Sequence, residues 1–270
     1  MTNLLEVTDL NVRYGGSAHL AVRDMGFTLA SGEVLGVVGE SGSGKTTLGM
    51  ALLGLLPEGA TATGSVTFDG TELLGAAQKR LRPLRGTQLS TIMQNAATAL
   101  NPCFTIGSQM TALLRRHRGL TRSAARTETV EWLRKVGIPG PESQLRAYPH
   151  QLSGGMNQRV AIAMALALAP KLVIADEPTS ALDVTVQAAV LRLLRALIDE
   201  SNNAMVLITH DLGVVAQLCS KVIVMNGGAV VESGPVARLM TNPQNGYTRR
   251  LLASLPARRA ATPDTVGGLG

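Results

Sequence analysis

Apolar positions in the first third of the chain come in short runs closed by glycine, the pattern of strands between tight turns. Leu5 to Tyr14 and Val22 to Leu29 read as strands, broken by Gly15-Gly16 and Ser31-Gly32. Val34 to Val38 is an uninterrupted apolar run, as a strand buried on both faces of a parallel sheet requires. A glycine-rich loop follows, then a helical pattern from Lys45 to Leu56 closed by Pro57, then a strand-like stretch from Gly64 to Gly70. Between Asn101 and Tyr148 the character changes to arginine-rich amphipathic helices. One of these runs from Ser123 to Val136, with Gly137 placed to end it. Strand–helix alternation then resumes: a helix from Gly155 to Ala169, a strand from Leu172 to Ala175, and a helix from Val184 to Glu200. A strand from Met205 to Thr209, a helix from Leu212 and a hairpin over Val222 to Val231, turning at Gly227-Gly228, complete the pattern. This alternation predicts a mostly parallel sheet covered by helices, with no internal repeat. Pro256 to Gly270, rich in Ala, Arg, Gly and Thr, predicts a flexible tail.

Length and composition narrow the class. At 270 residues the chain suits one α/β domain with insertions. Aromatic residues are only 3%, so Val, Leu, Ala and Ile must fill the core. No apolar run reaches the roughly 18 residues of a membrane span. The most apolar stretch, Val160 to Ala169, is cut by Pro170 and Lys171. The N-terminus has no basic segment followed by an apolar one, so no secretory signal is expected and the chain should stay in the cytoplasm. Cys103 and Cys219 lack paired spacing, which predicts two reduced thiols and no metal framework. The net charge of +6 could accompany nucleic acid. The arginine pairs at 115-116, 249-250 and 258-259 are scattered without interleaved aromatics, so nucleic acid is not an expected partner.

Three segments carry chemistry. Gly39-Glu40-Ser41-Gly42-Ser43-Gly44-Lys45-Thr46 fits the phosphate-binding pattern G-x-x-x-x-G-K-[ST] and lies between a strand and a helix. Glycines there let backbone N–H groups turn inward around phosphate oxygens. Lys45 supplies a charge to the β- and γ-phosphates, and the Thr46 hydroxyl suits Mg²⁺. Leu172 to Glu177 is an apolar strand ending in two carboxylates, and burying unpaired acids is costly. Beside a phosphate loop, Asp176 can hold the water shell of Mg²⁺ and Glu177 can polarise the attacking water, although Asp176 alone would also pass for a helix cap. Thr209-His210-Asp211 ends the next strand similarly. A histidine there is usually structural, yet His210 could sense the γ-phosphate.

In chain order, the phosphate loop, Leu152-Ser153-Gly154-Gly155-Met156-Asn157-Gln158-Arg159, Asp176-Glu177, Ser180-Ala181-Leu182-Asp183 and His210 resemble the motifs of ATP-binding-cassette (ABC) ATPases. The resemblance spans about Leu4 to Pro256. It implies a P-loop NTPase fold of the RecA-like α/β class, with a mostly parallel core sheet, an antiparallel β-subdomain and an α-helical subdomain inserted at about 97–160. One domain would occupy 1–255. The implied nucleotide-binding set is Tyr14, stacking on adenine, with Ser41, Gly42, Gly44, Lys45, Thr46 and Thr47. Glu177, His210 and Gln94 would be catalytic, and Thr46, Gln94 and Asp176 would face Mg²⁺. Ser153, Gly154 and Gly155 would grip the γ-phosphate of ATP held by another cassette, with Asp183 communicating between the two sites. Taken alone, Ser153 would pass for an N-cap, Gln94 for a loop residue and Tyr14 for an ordinary strand tyrosine. Met156, where many members carry Gln, and Ala96, where Pro is frequent, depart from the pattern.

Tyr148 to Ser153, Ile92 to Asn95 with Leu100-Asn101-Pro102, and Asn242 to Leu252 resemble the peptide/nickel importer branch. That branch implies an ATPase on the cytoplasmic face of the inner membrane. Its partners would be permease subunits, a second cassette (a related chain in preference to a second copy) and, indirectly, an extracytoplasmic solute-binding protein. Peptide-importing members often carry a C-terminal cysteine cluster; no cysteine follows Cys219, which tilts the expected solute toward nickel or a metal chelate. The competing reading, a non-transport ABC ATPase acting on ribosomes or DNA, usually brings two cassettes in one chain or a long coiled-coil insertion. Neither pattern is present.

Overall fold

The computed structural model describes residues 3–254. The tail expected at 256–270 lies outside them. Five strands run parallel at the centre: β3 (Val34–Val38), β6 (Leu89–Ile92), β7 (Leu172–Asp176), β8 (Ala204–Thr209) and β9 (Lys221–Asn226), in the spatial order β9-β3-β8-β7-β6. Every residue of β3 and β8 is buried. The side chains alternate between two cores. Val34, Val38, Val173, Ala175, Met205 and Leu207 face one layer of helices; Leu35, Val37, Ile174, Val206 and Ile208 face the other. Burial on both faces explains why these strands appear in the sequence as unbroken apolar runs.

The first core is closed by α7 (Gly154–Leu166), α8 (Val184–Ser201) and α9 (Leu212–Leu218). At Gly36, a Cβ would meet Val215 Cγ1 at 2.8 Å, so glycine lets α9 approach the sheet. The second core holds α1 (Lys45–Leu52), which packs Leu48, Ala51 and Leu52 between the parallel strands and an antiparallel layer. That layer is β1 (Asn3–Tyr14), β2 (Val22–Ala30), β4 (Ala60–Phe68) and β5 (Thr71–Glu72), in the order β5-β4-β1-β2. β10 (Ala229–Pro235) pairs antiparallel with β9 and meets β2 at Ala229 and Arg23, joining the layers into one sheet.

β1 shows how a strand keeps its face through an irregularity. Leu5 and Val7 are buried, then Leu10 and Val12, so the buried parity switches from odd to even. The register shifts between Val7 and Leu10, and Asp9 sits at φ 48°, a bulge that inserts one residue and restores the apolar side chains to the core.

Between β6 and β7 lie α3 (Ala96–Ala99), α4 (Ile106–Arg118), α5 (Arg122–Lys135), α6 (Pro141–Gln144) and α7. Thr105 and Thr121 cap α4 and α5, accepting bonds from Ser108 N and Ala124 N. Gly137, at φ 72°, follows the end of α5 as expected. Two helices are shorter than their patterns imply. α1 stops at Leu52 because Gly54 takes φ 61°, ahead of Pro57, and α7 stops at Leu166, with Ala169 at φ 51°. Among the described residues, no helix is long and apolar enough to cross a membrane.

Candidate functional site

In a parallel sheet the strand ends on one edge are the natural place for a ligand, because the loops leaving them converge there. Neighbouring strands β3, β8, β7 and β6 end respectively at the Gly39–Gly44 loop, His210, Asp176-Glu177 and the segment holding Gln94. The loop, Gln94, Glu177 and His210 line one cleft of about 900 Å³.

Two of the loop's glycines are fixed by space. A Cβ on Gly44 would stand 2.1 Å from Ala21 O, with φ at 96°; one on Gly39 would stand 2.3 Å from Met225 O. Gly42 also has positive φ, 80°, but faces open space. α1 begins at Lys45 with no side chain capping it, so its N-terminal N–H groups and the positive end of its dipole are turned to the cleft. Lys45 is buried, and its ammonium donates to Gly39 O at 2.8 Å, Glu40 O at 2.8 Å and Ser43 Oγ at 3.4 Å. Burial lowers its pKa, and the charges of Glu177 and Asp176 oppose the shift.

Burial likewise pushes the Asp176 carboxyl above the ordinary range. The Thr46 hydroxyl bond and the Lys45 charge oppose the rise, while Glu177 adds to it. Glu177 has φ 45°, a conformation that side-chain-bearing residues take at a cost of about 1–3 kcal/mol. Its N–H donates to Ile208 O at 2.8 Å, which ties the strained residue to β8. The carboxylate sits between two neighbours: Gln94 Nε2 donates to Oε2 at 3.1 Å, and His210 Nδ1 lies 3.0 Å from Oε1. Tyr14, at the end of β1, holds Thr47 Oγ1 through its hydroxyl at 3.0 Å, which leaves its ring at the cleft wall. The groups expected to face a metal, Thr46, Gln94 and Asp176, offer oxygen atoms. No group of three or more His, Cys, Asp or Glu among the described residues could hold a metal unaided. That pattern fits Mg²⁺, which takes one or two carboxylates and draws its other ligands from water and phosphate.

Ser153, Gly154, Gly155 and Asp183 do not line this cleft. Ser153 Oγ accepts from Met156 N at 3.3 Å and Asp183 Oδ1 from Val186 N at 2.9 Å, so both serve as N-caps. The two glycines differ. A Cβ on Gly155 would lie 2.6 Å from Val186 Cγ1, so packing against α8 demands glycine there. One on exposed Gly154 would meet only Leu182 at an ordinary 3.7 Å, so no internal contact explains the glycine.

One contact lay beyond the sequence reading. α11 (Gly246–Ala253) brings Leu251 to the cleft wall, along with Ser254, and places the Tyr247 hydroxyl 3.0 Å from the Glu40 N–H that donates to it. The Asn242–Leu252 stretch was marked by its resemblance to one transporter branch, but nothing in the residues pointed to the phosphate loop.

A family model described as ABC transporter matches residues 22–180. The chain is 46% identical over 256 residues to the dipeptide transport ATP-binding protein DppD of Haemophilus influenzae, covering 94% of this chain and 78% of that one. It is 48% identical over 257 residues to the peptidoglycan transport ATP-binding protein YejF of Agrobacterium fabrum. That match covers 94% of this chain and 47% of the relative, so the chain spans about half of that protein's length. Among solved structures, a dimeric ATP-binding cassette in a post-hydrolysis state, bound to ADP and Pi, superposes with a TM-score of 0.76 at 27% identity. It covers 86% of this chain and 98% of that one.

Proposed function

The chain belongs to the ABC transporter family, and from that premise we propose that it is the ATP-hydrolysing subunit of a peptide importer, working on the cytoplasmic face of the membrane beside a separate permease. The observation that carries the chemistry is the convergence of the phosphate loop, Gln94, Glu177 and His210 on one cleft at the strand ends, with Asp176 bonded to Thr46 of its wall. ATP enters with its adenine against Tyr14 and its phosphates against the N–H groups of the loop and of α1, contacted by Ser41, Gly42, Gly44, Thr46 and Thr47. The Lys45 ammonium has three protons and three partners inside the loop, so it gives up at least one to reach the β- and γ-phosphates. Mg²⁺, held by Thr46 and Asp176 with Gln94 nearby, would neutralise phosphate charge. Glu177 accepts a proton from water as its oxygen attacks the γ-phosphorus, and ADP leaves with the electrons of the broken bond. Gln94 and His210 hold that carboxylate on both sides, so it is aimed before the water arrives.

The second half of the site comes from another cassette. Ser153 and Gly154 are exposed at the N-terminus of α7, an anion-binding end that lies outside the chain's own cleft. We assign them and Gly155 to the γ-phosphate of the partner's nucleotide in a head-to-tail pair, with Asp183 beside them passing the state of one site to the other. The pair is a heterodimer of related cassettes, served from outside by a solute-binding protein. Met93 and Phe104, both large and exposed, flank the Gln94 segment and give the permease an apolar surface.

Peptide is the arm of the solute expectation that the dipeptide-transport relative favours. The tilt toward nickel rested on the missing cysteines after Cys219. That relative is longer than the matched chain, so the cysteine count here does not decide the solute. The test is capture of the tagged chain from detergent-solubilised membranes, with identification of its companions. A permease and a second cassette are the expected companions; ribosomal or DNA-repair proteins in their place would overturn the transport assignment.

A further inference from the structure

We propose that Tyr247 is a positioning residue for nucleotide binding, and that α11 acts as a clip holding the phosphate loop open to phosphate. The inference rests on the reading of the cleft as the ATP site. Glu40 is the loop residue at issue. Its carbonyl accepts from the Lys45 ammonium at 2.8 Å and from Ser43 N at 3.2 Å, both within the loop, while its N–H donates to the Tyr247 hydroxyl at 3.0 Å. Among the described residues' hydrogen bonds, Tyr247 is therefore the one tie to Glu40 from outside the loop. The far side of the loop has its own anchor, since Gly228 N donates to Ser43 O at 3.2 Å from the β9–β10 turn.

The Lys45 bonds cannot all persist when ATP arrives, because the ammonium has no fourth proton for a phosphate oxygen. As Lys45 turns outward, the hold on Gly39 and Glu40 weakens when the loop must stay shaped for the anion. The Tyr247 bond does not compete with phosphate, because Glu40 N–H already points away to α11. The loop thus keeps its entry side fixed while the lysine changes partners.

α11 is built to stay in place. The Glu232 carboxylate on β10 accepts from Gln244 N at 2.9 Å and Asn245 N at 3.1 Å. Asn245 caps the helix through Tyr247 N at 2.8 Å and donates from Nδ2 to Val231 O at 3.2 Å. Tyr247 itself is buried, with the Arg250 guanidinium 5.9 Å from its ring centre. A residue so anchored can transmit position; a hydroxyl on a loose helix could not.

The test measures ATP affinity on the full chain with Mg²⁺, and KM and kcat on the chain paired with its companion cassette. Tyr247→Phe keeps the ring and removes only the hydroxyl. Loss of one hydrogen bond should weaken ATP affinity by about three- to tenfold and raise KM for ATP in parallel, while kcat at saturating ATP changes less than about twofold. A purely structural role would lower the thermal midpoint and leave KM alone. Asn245→Ala, which unseats the cap but keeps the tyrosine, should shift affinity in the same direction, and the double variant should be no worse than the weaker single one. Lys45→Ala serves as the control for the site: if it still binds ATP as the unaltered chain does, the reading of the cleft fails. If Lys45→Ala loses ATP while both α11 variants bind within twofold of the unaltered chain, the clip alone is overturned. Should Tyr247→Phe fail to fold, Asn245→Ala decides by the same affinity criterion.

Discussion

Replacing Glu177 by Gln separates catalysis from binding at this site more cleanly than any other substitution. The exchange is close to isosteric and leaves the strained backbone at φ 45° untouched. Two bonds hold the carboxylate, from Gln94 at 3.1 Å and with His210 at 3.0 Å. The new amide can accept from one neighbour and donate to the other, provided Gln94 flips its own amide or His210 changes tautomer. The folded state should therefore lose no more than about 1 kcal/mol, the scale of one imperfect hydrogen bond. ATP affinity should stay within about threefold, since Lys45 and the loop make the phosphate contacts. What vanishes is the proton acceptor, worth about 10²–10⁴ in rate, or roughly 3–5 kcal/mol at 1.36 kcal/mol per decade. The assay pairs phosphate release at saturating MgATP with ATP affinity by titration calorimetry, and gel filtration with ATP tests for accumulation of the closed cassette pair. Turnover within about fivefold of the unaltered chain, with fold and affinity intact, would remove Glu177 as the base. A larger loss from His210→Ala than from Glu177→Gln would move that role to the histidine.

Four further outcomes follow from the structure. Gly155→Ala places a methyl 2.6 Å from Val186 Cγ1 and should cost about 1–3 kcal/mol of stability in urea unfolding. Gly154→Ala, with 3.7 Å to Leu182, should leave stability unchanged but cut turnover without altering ATP affinity; equal losses in affinity and turnover would refute a role at the partner's nucleotide. At pH 8, a thiol reagent should label exposed Cys103 in the folded chain and leave Cys219 unmodified until denaturant is added, since burial pushes the Cys219 pKa up to about 12; fast labelling of native Cys219 would contradict this. Because burial raises the Asp176 pKa, Mg²⁺-dependent ATP affinity should begin to fall on acidification at a pH above the ordinary aspartate range. The folded state holds that proton more tightly than the unfolded chain. The same acidification therefore favours folding at this residue even as it removes a metal ligand, so an affinity loss that tracked unfolding would refute the assignment.

Most of the elements that converge on the candidate cleft were legible in the sequence, for a physical reason. β3, β7 and β8 are buried on both faces, so each is an apolar run whose end is marked by the first residue that chemistry requires: Gly39, Asp176 with Glu177, and His210. Adjacency of those ends then follows from parallel pairing alone. β1 was found as a strand, but its bulge at Asp9 was not, because a parity switch in burial looks locally like noise in the alternation. β6 was missed as a strand; four residues, Leu-Ser-Thr-Ile, carry too little pattern to separate strand from loop. α1 was drawn four residues too long, since Pro57 is the louder stop and Gly54 the effective one. Tyr247 was invisible as a partner of the loop because its bond joins positions 207 apart, and no local pattern records that contact.

Two kinds of order coexist in the cleft, and their difference explains how the motor can wait. The Glu177 carboxylate, proposed above as the base, is held on both sides at a residue whose backbone conformation is strained, so its aim is set by the fold. The phosphate-binding lysine is also fully engaged, but with the loop itself, so binding must exchange partners and not merely add them. On this reading, ATP reorganises the lysine while the base stays fixed. The Ser153–Gly155 turn, proposed above for the γ-phosphate side, lies outside the chain's own cleft. A cassette by itself can thus bind ATP with its base aimed yet lack the donors that would stabilise the charge developing in transfer. On the proposed assignment hydrolysis depends on pairing, which would keep a transporter from consuming ATP before the permease is engaged.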